Sequence, residues 1–468
     1  MGNRGLLFEG ISAYDAPMRL CLLALFLPLG QTYAQDTRDP FGIIHHFERV
    51  TLDTEFFAEG VAFGDMNGDG HTDVIAGPWW YQGPTFKQRH AFFSPKPFNP
   101  TGYSDNFFAF VHDFDRDGHH DILIIGFPGQ DASWFQNPGS PDGQWLRHRV
   151  LDGVDNESPT FTDLTGDGEP EMICQKNGKL GWAGPDTSQP NLPWIFHPIS
   201  AADVGGRYTH GLGVGDINGD GRKDLLMKIG WWSQPEDLNN APTWEFHPFE
   251  FSKRGGGAQM LTLDVDGDGD TDVVTSLHAH GWGLSWFEQT RKGDEIHFME
   301  HRIMDARPED NPYGVHFSQM HALCLVDIDG DGLEDVVTGK RYWAHGPDGD
   351  IDSAAPPVVY WFQLKRLPGG KAEFIPHLAD DNSGVGVQVV AGDVNADGLA
   401  DIVISNKKGT YLLLHKTRQA SETEWKSAQP QRLTSDQPVP FSEGVAPLDL
   451  DGVRINLGFE NGDLSHWT

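Results

Sequence analysis

Residues 65–73 read DMNGDGHTD, and this stretch decides the fold. The same pattern, D-x-[DN]-x-D-G-x-x-D, begins again at Asp113, Asp163, Asp216, Asp264, Asp327 and Asp393, at spacings of 48, 50, 53, 48, 63 and 66 residues. Such a period suits a four-stranded propeller blade and is too long for solenoid repeats. An EF-hand also uses an Asp-rich loop, but it needs a Glu at loop position 12 and a helix on each side. Position 12 here is Ala76, Ile124, Cys174, Met227, Thr275, Thr338 and Ile404. The flanks are β-like instead: VAFGD and LCLVD run in, DVIAG and DIVIS run out. Each loop therefore joins two strands. The expectation is an all-β, seven-bladed β-propeller of four-stranded blades.

The offsets kept in every copy are those of oxygen ligands. The first loop offers Asp65, Asn67, Asp69 and Asp73, and the second Asp113, Asp115, Asp117 and Asp121. The third offers Asp163, Thr165, Asp167 and Glu171, and the fourth Asp216, Asn218, Asp220 and Asp224. The fifth offers Asp264, Asp266, Asp268 and Asp272, the sixth Asp327, Asp329, Asp331 and Asp335, the seventh Asp393, Asn395, Asp397 and Asp401. Three or four carboxylates this close repel one another without a cation, and a hard cation wants several oxygens. Up to seven structural Ca²⁺ ions are expected. Ordinary tight turns also favour Asp and Gly, but they do not require all the ligand offsets to recur. The third loop is the weakest copy, and the seventh has Ala396 where the others mostly have Gly.

Charge follows from the same loops. The formal net charge is −34, with 68 acidic against 34 basic residues, and 24 of the acids stand at the ligand offsets of the loops. The acidity is thus largely a metal-site signature, and it argues against nucleic acid or an anionic membrane as partner. With 15 Trp, 29 Phe, 56 Gly and 31 Pro, the composition is that of many short strands and turns.

Met18-Arg19, the apolar run Leu20–Leu29 and the small-residue site ending at Ala34 read as a secretory signal peptide over residues 1–34. The 17 residues before Met18 fit an n-region poorly, and Met18 suits a start. The run is too short to span a bilayer, so a secreted or periplasmic protein is expected, without a transmembrane segment. Cys174 and Cys324 fall in strands of different repeats and read as free thiols.

A second phrase marks the outer strand of the blades: an aromatic, two residues, then His. It occurs at Trp145–His148, Trp194–His197, Trp244–His247, Phe298–His301 and Phe374–His377, with a looser copy at Phe86–His90. These histidines read as structural. No such phrase follows the last Asp loop, but FERVTL at Phe47–Leu52 has the rhythm of an outer strand. The N-terminal strand is expected to complete the last blade and close the ring, removing exposed edges. The propeller then covers residues 43–415, followed by a polar linker at 416–440. Residues 441–468 read either as the start of a truncated carbohydrate-binding jelly roll or as a tail with a chance strand.

These loops resemble the FG-GAP or VCBS repeat, the calcium-loop blade of integrin α-chains, over roughly residues 43–415. The stretches GYSDNFFAFVHDFD, VDNESPTFTDLTGDG, THGLGVGD, GKRYWAHGPDGD and GVQVVAGDVN are also similar to the propeller of fungal aldos-2-ulose dehydratase and its bacterial relatives. The first resemblance implies fold and calcium but hosts adhesion, lectin and lyase activities alike. The second implies removal of water from oxidised sugars. No cupin region is present, so that enzyme's second activity is not implied.

A propeller's ligand site usually lies over the central channel, here on the face away from the Asp loops. Counting five to seven residues back from each loop gives the axial ring: Glu59, Asn106, Glu157, His210, Gln259, His321 and Gln388. Glu59, Glu157, His210 and His321 are the candidate catalytic residues, as acid and base or as ligands of an additional divalent metal. Asn106, Gln259 and Gln388 are candidate ligand-binding residues, joined by Lys228, His278, His280, Lys340, Arg341 and Lys407 from loops on the same face. These cations suit an enolate-like or anionic ligand. Trp79, Trp80, Tyr103, Trp231 and Trp232 add faces that stack on sugars or pack between blades. No nucleophile elbow, P-loop, Rossmann fingerprint or HExxH motif occurs. Two readings stand: a lyase or dehydratase of keto sugars, or a non-catalytic lectin-like or integrin-like module for a small sugar or polysaccharide.

Overall fold

A computed structural model describes residues 42–140, 143–186, 188–201, 204–238, 243–293 and 295–433. The expected signal peptide and jelly-roll segment lie outside the described residues. In the first repeat, strands Ala62–Gly64, Asp73–Ala76, Trp79–Tyr81 and Arg89–Ala91 pair in chain order as an antiparallel sheet. The first two are joined by the Asp loop. The same unit recurs after each later loop, and the chain is an all-β propeller.

The blade count expected from the sequence is corrected. Among the described residues five four-stranded sheets stand alone, not seven, because the fourth and fifth repeats share one eight-stranded sheet. Their inner strands, Leu212–Gly215 and Gln259–Leu263, pair in parallel at Leu212↔Gln259 and Gly213↔Met260. Gly213 permits this: a Cβ there would lie 2.4 Å from the Met260 carbonyl oxygen.

The second strand of each unit is its most buried. Asp73–Ala76, Asp121–Ile125, Asp272–Ser276 and Asp335–Gly339 are buried at every position. Their alternate faces pack against the units on either side, so the core is a ring of wedges. One wedge joins Leu164, Ile173 and Leu180 of the third repeat to Leu212, Leu225 and Trp232 of the fourth. The two cysteines among the described residues are free, Cys174 in strand Glu171–Lys176 and Cys324 in Leu323–Val326.

The outer-strand histidines have a packing role. Each lies opposite a Trp of the third strand and stacks on it: Trp80 with His90 at 4.1 Å, Trp182 with His197 at 4.1 Å, Trp231 with His247 at 3.9 Å. Trp134–His148, Trp286–His301 and Trp361–His377 repeat the arrangement. At the closure the partners change places. Strand Ile43–Asp53 pairs with Gly409–Gln419, and Phe47 of the former stacks on His415 of the latter at 4.8 Å. The last strand thus reaches Gln419, four residues beyond the expected boundary. A short helix, Glu422–Ala428, follows within the expected linker.

Within an Asp loop the first carboxylate organises the turn. Asp65 accepts the N–H groups of Gly68 at 2.7 Å and Gly70 at 2.8 Å, while Asp73 accepts Met66 and Gly83 N–H at 2.8 Å each. Position 4 of the loop is left-handed, which suits Gly; Arg116 and Ala396 occupy it at φ 61°.

Candidate functional site

Four side chains from four repeats meet at the axis, on the face away from the Asp loops. Glu157, His210 and His321 stand just before the inner strands that begin at Thr160, Leu212 and Leu323, and His280 follows the second strand Asp272–Ser276. The His210 and His321 Nε2 atoms are 3.1 Å apart, and the His280 and His210 Nε2 atoms 3.2 Å apart. Glu157 Oε2 lies 3.1 Å from His321 Nε2 and 3.5 Å from His210 Nε2. One donor atom from each of the four lies within 4.8 Å of the others.

Electrostatics keep two of the imidazoles, those of His280 and His321, neutral. Burial, then the charge of Arg341, brings His321 down to about 3. Burial and the neighbouring His321 and His210 push His280 far below the ordinary imidazole value. Burial alone would raise the Glu157 carboxyl, but hydrogen bonds from His210 and His321 hold it well below the usual carboxylate range. Neutral imidazoles can turn their lone pairs inward at such distances only around a shared proton or a cation. Bonds of about 2.1 Å to one ion would place neighbouring donors roughly 3.0–3.4 Å apart. The donor set therefore fits a divalent transition metal.

A second group adjoins the first. His280 Nδ1 is 3.9 Å from Asp350, whose other contacts are the N–H groups of Ala344 and His345 and the His345 Nδ1, at 2.6–2.7 Å. His345 is half exposed, its ring 4.7 Å from that of His280. Nearby, Arg341 forms a buried ion pair with Glu59. Lys407 donates to the Ala344 carbonyl at 3.0 Å and lies 4.5 Å over the Tyr103 ring. Burial lowers Lys340 and Lys407 to about 8 each.

The expected site residues divide accordingly. Glu157, His210, His321 and His280 converge. Glu59 does not join them, because Arg341 holds it as a buried partner. Asn106, Gln259 and Gln388 turn their side-chain amides to backbone groups. Asn106 donates to the Phe57 carbonyl at 2.9 Å. Gln259 accepts Leu323 N–H at 2.9 Å and donates to the Val387 carbonyl at 3.4 Å. Gln388 accepts Val61 and Ala109 N–H at 3.1 and 3.0 Å. Lys228 donates to the Gly255 carbonyl at 2.7 Å, at the rim, and His278 Nδ1 accepts the His280 N–H at 3.1 Å. Trp80 and Trp231 stack on outer-strand histidines away from the axis. His345 and Asp350 were not expected, although GKRYWAHGPDGD contains both.

The Asp loops have their own cation geometry. In the second, fifth and sixth, the carboxylates at positions 1, 3 and 9 gather within 4.8 Å: Asp113, Asp115 and Asp121; Asp264, Asp266 and Asp272; Asp327, Asp329 and Asp335. Burial raises Asp121 and Asp335 to about 8, so their anionic forms are held at a cost that a bound cation would offset.

Residues 113–174 match the family model of the FG-GAP-like repeat. No curated protein matches the sequence. Among solved structures, the chain is similar to an Agrocybe aegerita lectin with specific recognition of non-reducing terminal N-acetylglucosamine. The identity is 14%, 79% of this chain and 86% of that chain are covered, and the TM-score is 0.42. It is also similar to rhamnogalacturonan lyase YesW, at 12% identity, covering 80% and 76%, with a TM-score of 0.39.

Proposed function

We propose that this propeller is a metal-dependent carbon–oxygen lyase that removes water from oxidised (keto) sugars at the axial cluster. The observation that carries the reading is the convergence of Glu157, His210, His280 and His321 beside a second set of proton-transfer groups. A purely binding module has no need of such a constellation.

A divalent cation bound by these four residues would supply positive charge for a substrate carbonyl oxygen during proton loss. The chain's own groups do the rest. His345 takes the proton α to the carbonyl, and Asp350 on its Nδ1 fixes the tautomer and offsets the imidazolium. The electron pair of the broken C–H bond forms the new C=C bond as the β C–O bond breaks. The departing hydroxide leaves as water with a proton from Lys407, whose lowered pKa suits that transfer near neutrality. Solvent then takes the His345 proton and restores that of Lys407.

Three further elements belong to the same proposal. Calcium occupies the Asp loops as scaffold, the merged sheet acts as two blades of a sevenfold ring, and the protein works after export. The gathered carboxylates of the second, fifth and sixth loops support the first of these.

The test is to load the protein with zinc or manganese, mix it with 1,5-anhydrofructose or a 3-keto-glycoside, and follow substrate loss. Wild type should consume one of them, and His321→Ala should be slower by roughly 100-fold. Wild type inert on both, and indistinguishable from the variant, overturns the reading.

A further inference from the structure

The loop between strands Asp335–Gly339 and Val359–Leu367 does more than complete the axial cluster. Its start places Arg341 on Glu59, and its middle places Asp350 beside His280. Between and beyond these points it walls a separate cavity of about 560 Å³. The walls include Tyr342, Trp343, Pro356, Pro357, Asp381 and Lys408, from the loops of the sixth and seventh repeats on the axial face.

The cavity is lined by chain neighbours of residues at the axis. Arg341 and Tyr342 are consecutive, as are Lys407 and Lys408. In each pair the first residue belongs to the axial charges and the second lines the cavity. Its volume lies within the roughly 300–1,000 Å³ typical of small-ligand sites.

Its chemistry is specific. Tyr342 and Trp343 lie against each other with ring centroids 4.3 Å apart and planes 25° from parallel, and neither is fully buried. Trp343 holds φ 59°, a left-handed conformation that is strained for a bulky residue. A γ-turn hydrogen bond from Trp343 N–H to the Arg341 carbonyl at 3.0 Å closes the chain tightly around Tyr342. Lys408 lies 5.2 Å over Tyr342 and donates to the Asn382 carbonyl at 2.7 Å. Lys408 and Asp381 bring one charge of each sign to the rim, so the cavity has no preference for an ionic ligand. Aromatic faces inside and mixed polar groups at the rim match a neutral pyranose ring, whose C–H face is apolar and whose edge is hydroxyl.

We infer that the Tyr342–Trp343 cavity is a saccharide subsite, which binds a neutral pyranose of a glycoside whose oxidised end lies at the axial cluster. The inference rests on the proposed sugar chemistry for its choice of ligand class, but its test does not need turnover.

Cellobiose and maltose are titrated into the full chain by calorimetry and tryptophan fluorescence. At least one should bind saturably in the millimolar range. Trp343→Ala should weaken it by about tenfold or more, near 1.4 kcal/mol, while Trp343→Phe keeps most of the affinity. His321→Ala, which removes an axial residue, should bind like wild type. If Trp343→Ala loses the native circular dichroism spectrum, Ala355→Trp fills the cavity from its rim instead and should abolish binding. Absence of binding to both sugars overturns the inference. So does unchanged binding in a folded cavity variant, or equal loss in His321→Ala. A failed dehydratase assay with intact disaccharide binding would count only against the catalytic reading.

Discussion

Gln388 and Ala109 hold each other from both sides. The Gln388 Oε1 accepts the Ala109 N–H and its Nε2 donates to the Ala109 carbonyl, each at 3.0 Å, across 279 residues of chain. The same oxygen also accepts Val61 N–H at 3.1 Å. One amide thereby ties the seventh repeat to the first and second at the axis, where the inner strands of these three repeats have no further sheet partner. Gln388→Leu would leave two buried N–H groups and a carbonyl unpaired, at about 1–3 kcal/mol each. Urea unfolding should show a loss of about 3–6 kcal/mol.

Glu59 and Arg341 give a sharper contrast, since Glu59 is wholly buried and Arg341 is 2% exposed. Glu59→Gln strands the guanidinium without its countercharge. Breaking a buried pair in this way costs about 3–5 kcal/mol. Denaturant melts should show that loss while zinc uptake, measured by elemental analysis, stays at the wild-type level. Zinc uptake should instead fall in His280→Ala.

Acid should act at the ring closure. Burial, then the charge of His45, lowers His377 to about 3. Its ring stacks on Trp361 at 4.2 Å. A histidine with a depressed folded pKa binds fewer protons folded than unfolded. Its contribution is therefore fully present above about 6.5 and lost as pH falls toward 3. His377→Phe keeps the stack and removes the titration. The variant's melting temperature should drop less than wild type's between neutral and mildly acid pH; equal drops would exclude this histidine as a cause.

Chelation should lower the melting temperature by several degrees, with recovery on calcium addition. The largest effect is expected from the second, fifth and sixth loops, where three carboxylates converge. Asp335→Asn should bring part of that effect without chelator. A melting curve insensitive to chelator would rule out cation-filled loops.

Ala396 sits at φ 61°, and Gly fills the equivalent position in five of the other loops. An L-residue in this conformation is strained by about 1–2 kcal/mol, part of which glycine's greater unfolded-state freedom takes back. Ala396→Gly should stabilise the protein by about 0.5–1 kcal/mol in thermal melts.

Much of this molecule is written in its local sequence. The Asp loops carry their strand–turn–strand geometry in nine residues, and the Phe47–Leu52 strand could be assigned to the last blade because one outer strand was missing. The merging of the fourth and fifth repeats could not be read. It depends on two inner strands approaching across Gly213, and other inner strands also carry glycine. At the axis, counting back from the loops found Glu157, His210 and His321 because the repeat fixes where each inner strand begins. The same count could not tell a ligand from a staple, since Gln259 and Gln388 turn their amides to backbone that only the closed ring brings near. His345 and Asp350 come from a long loop with no counterpart in the other repeats, so no period pointed to them.

The sheet that joins strand Ile43–Asp53 to Gly409–Gln419 also sets an order of events. Six repeats are assembled from strands close together in sequence, and they can form while the chain is being made. The seventh needs its first-made strand to wait for its last. Until then the early strand keeps an unpaired edge and the ring stays open. Final closure is thus a step of high contact order that waits for residues 409–419. A circular permutant that joined residues 43–53 directly behind residue 419 would convert that step into a local hairpin.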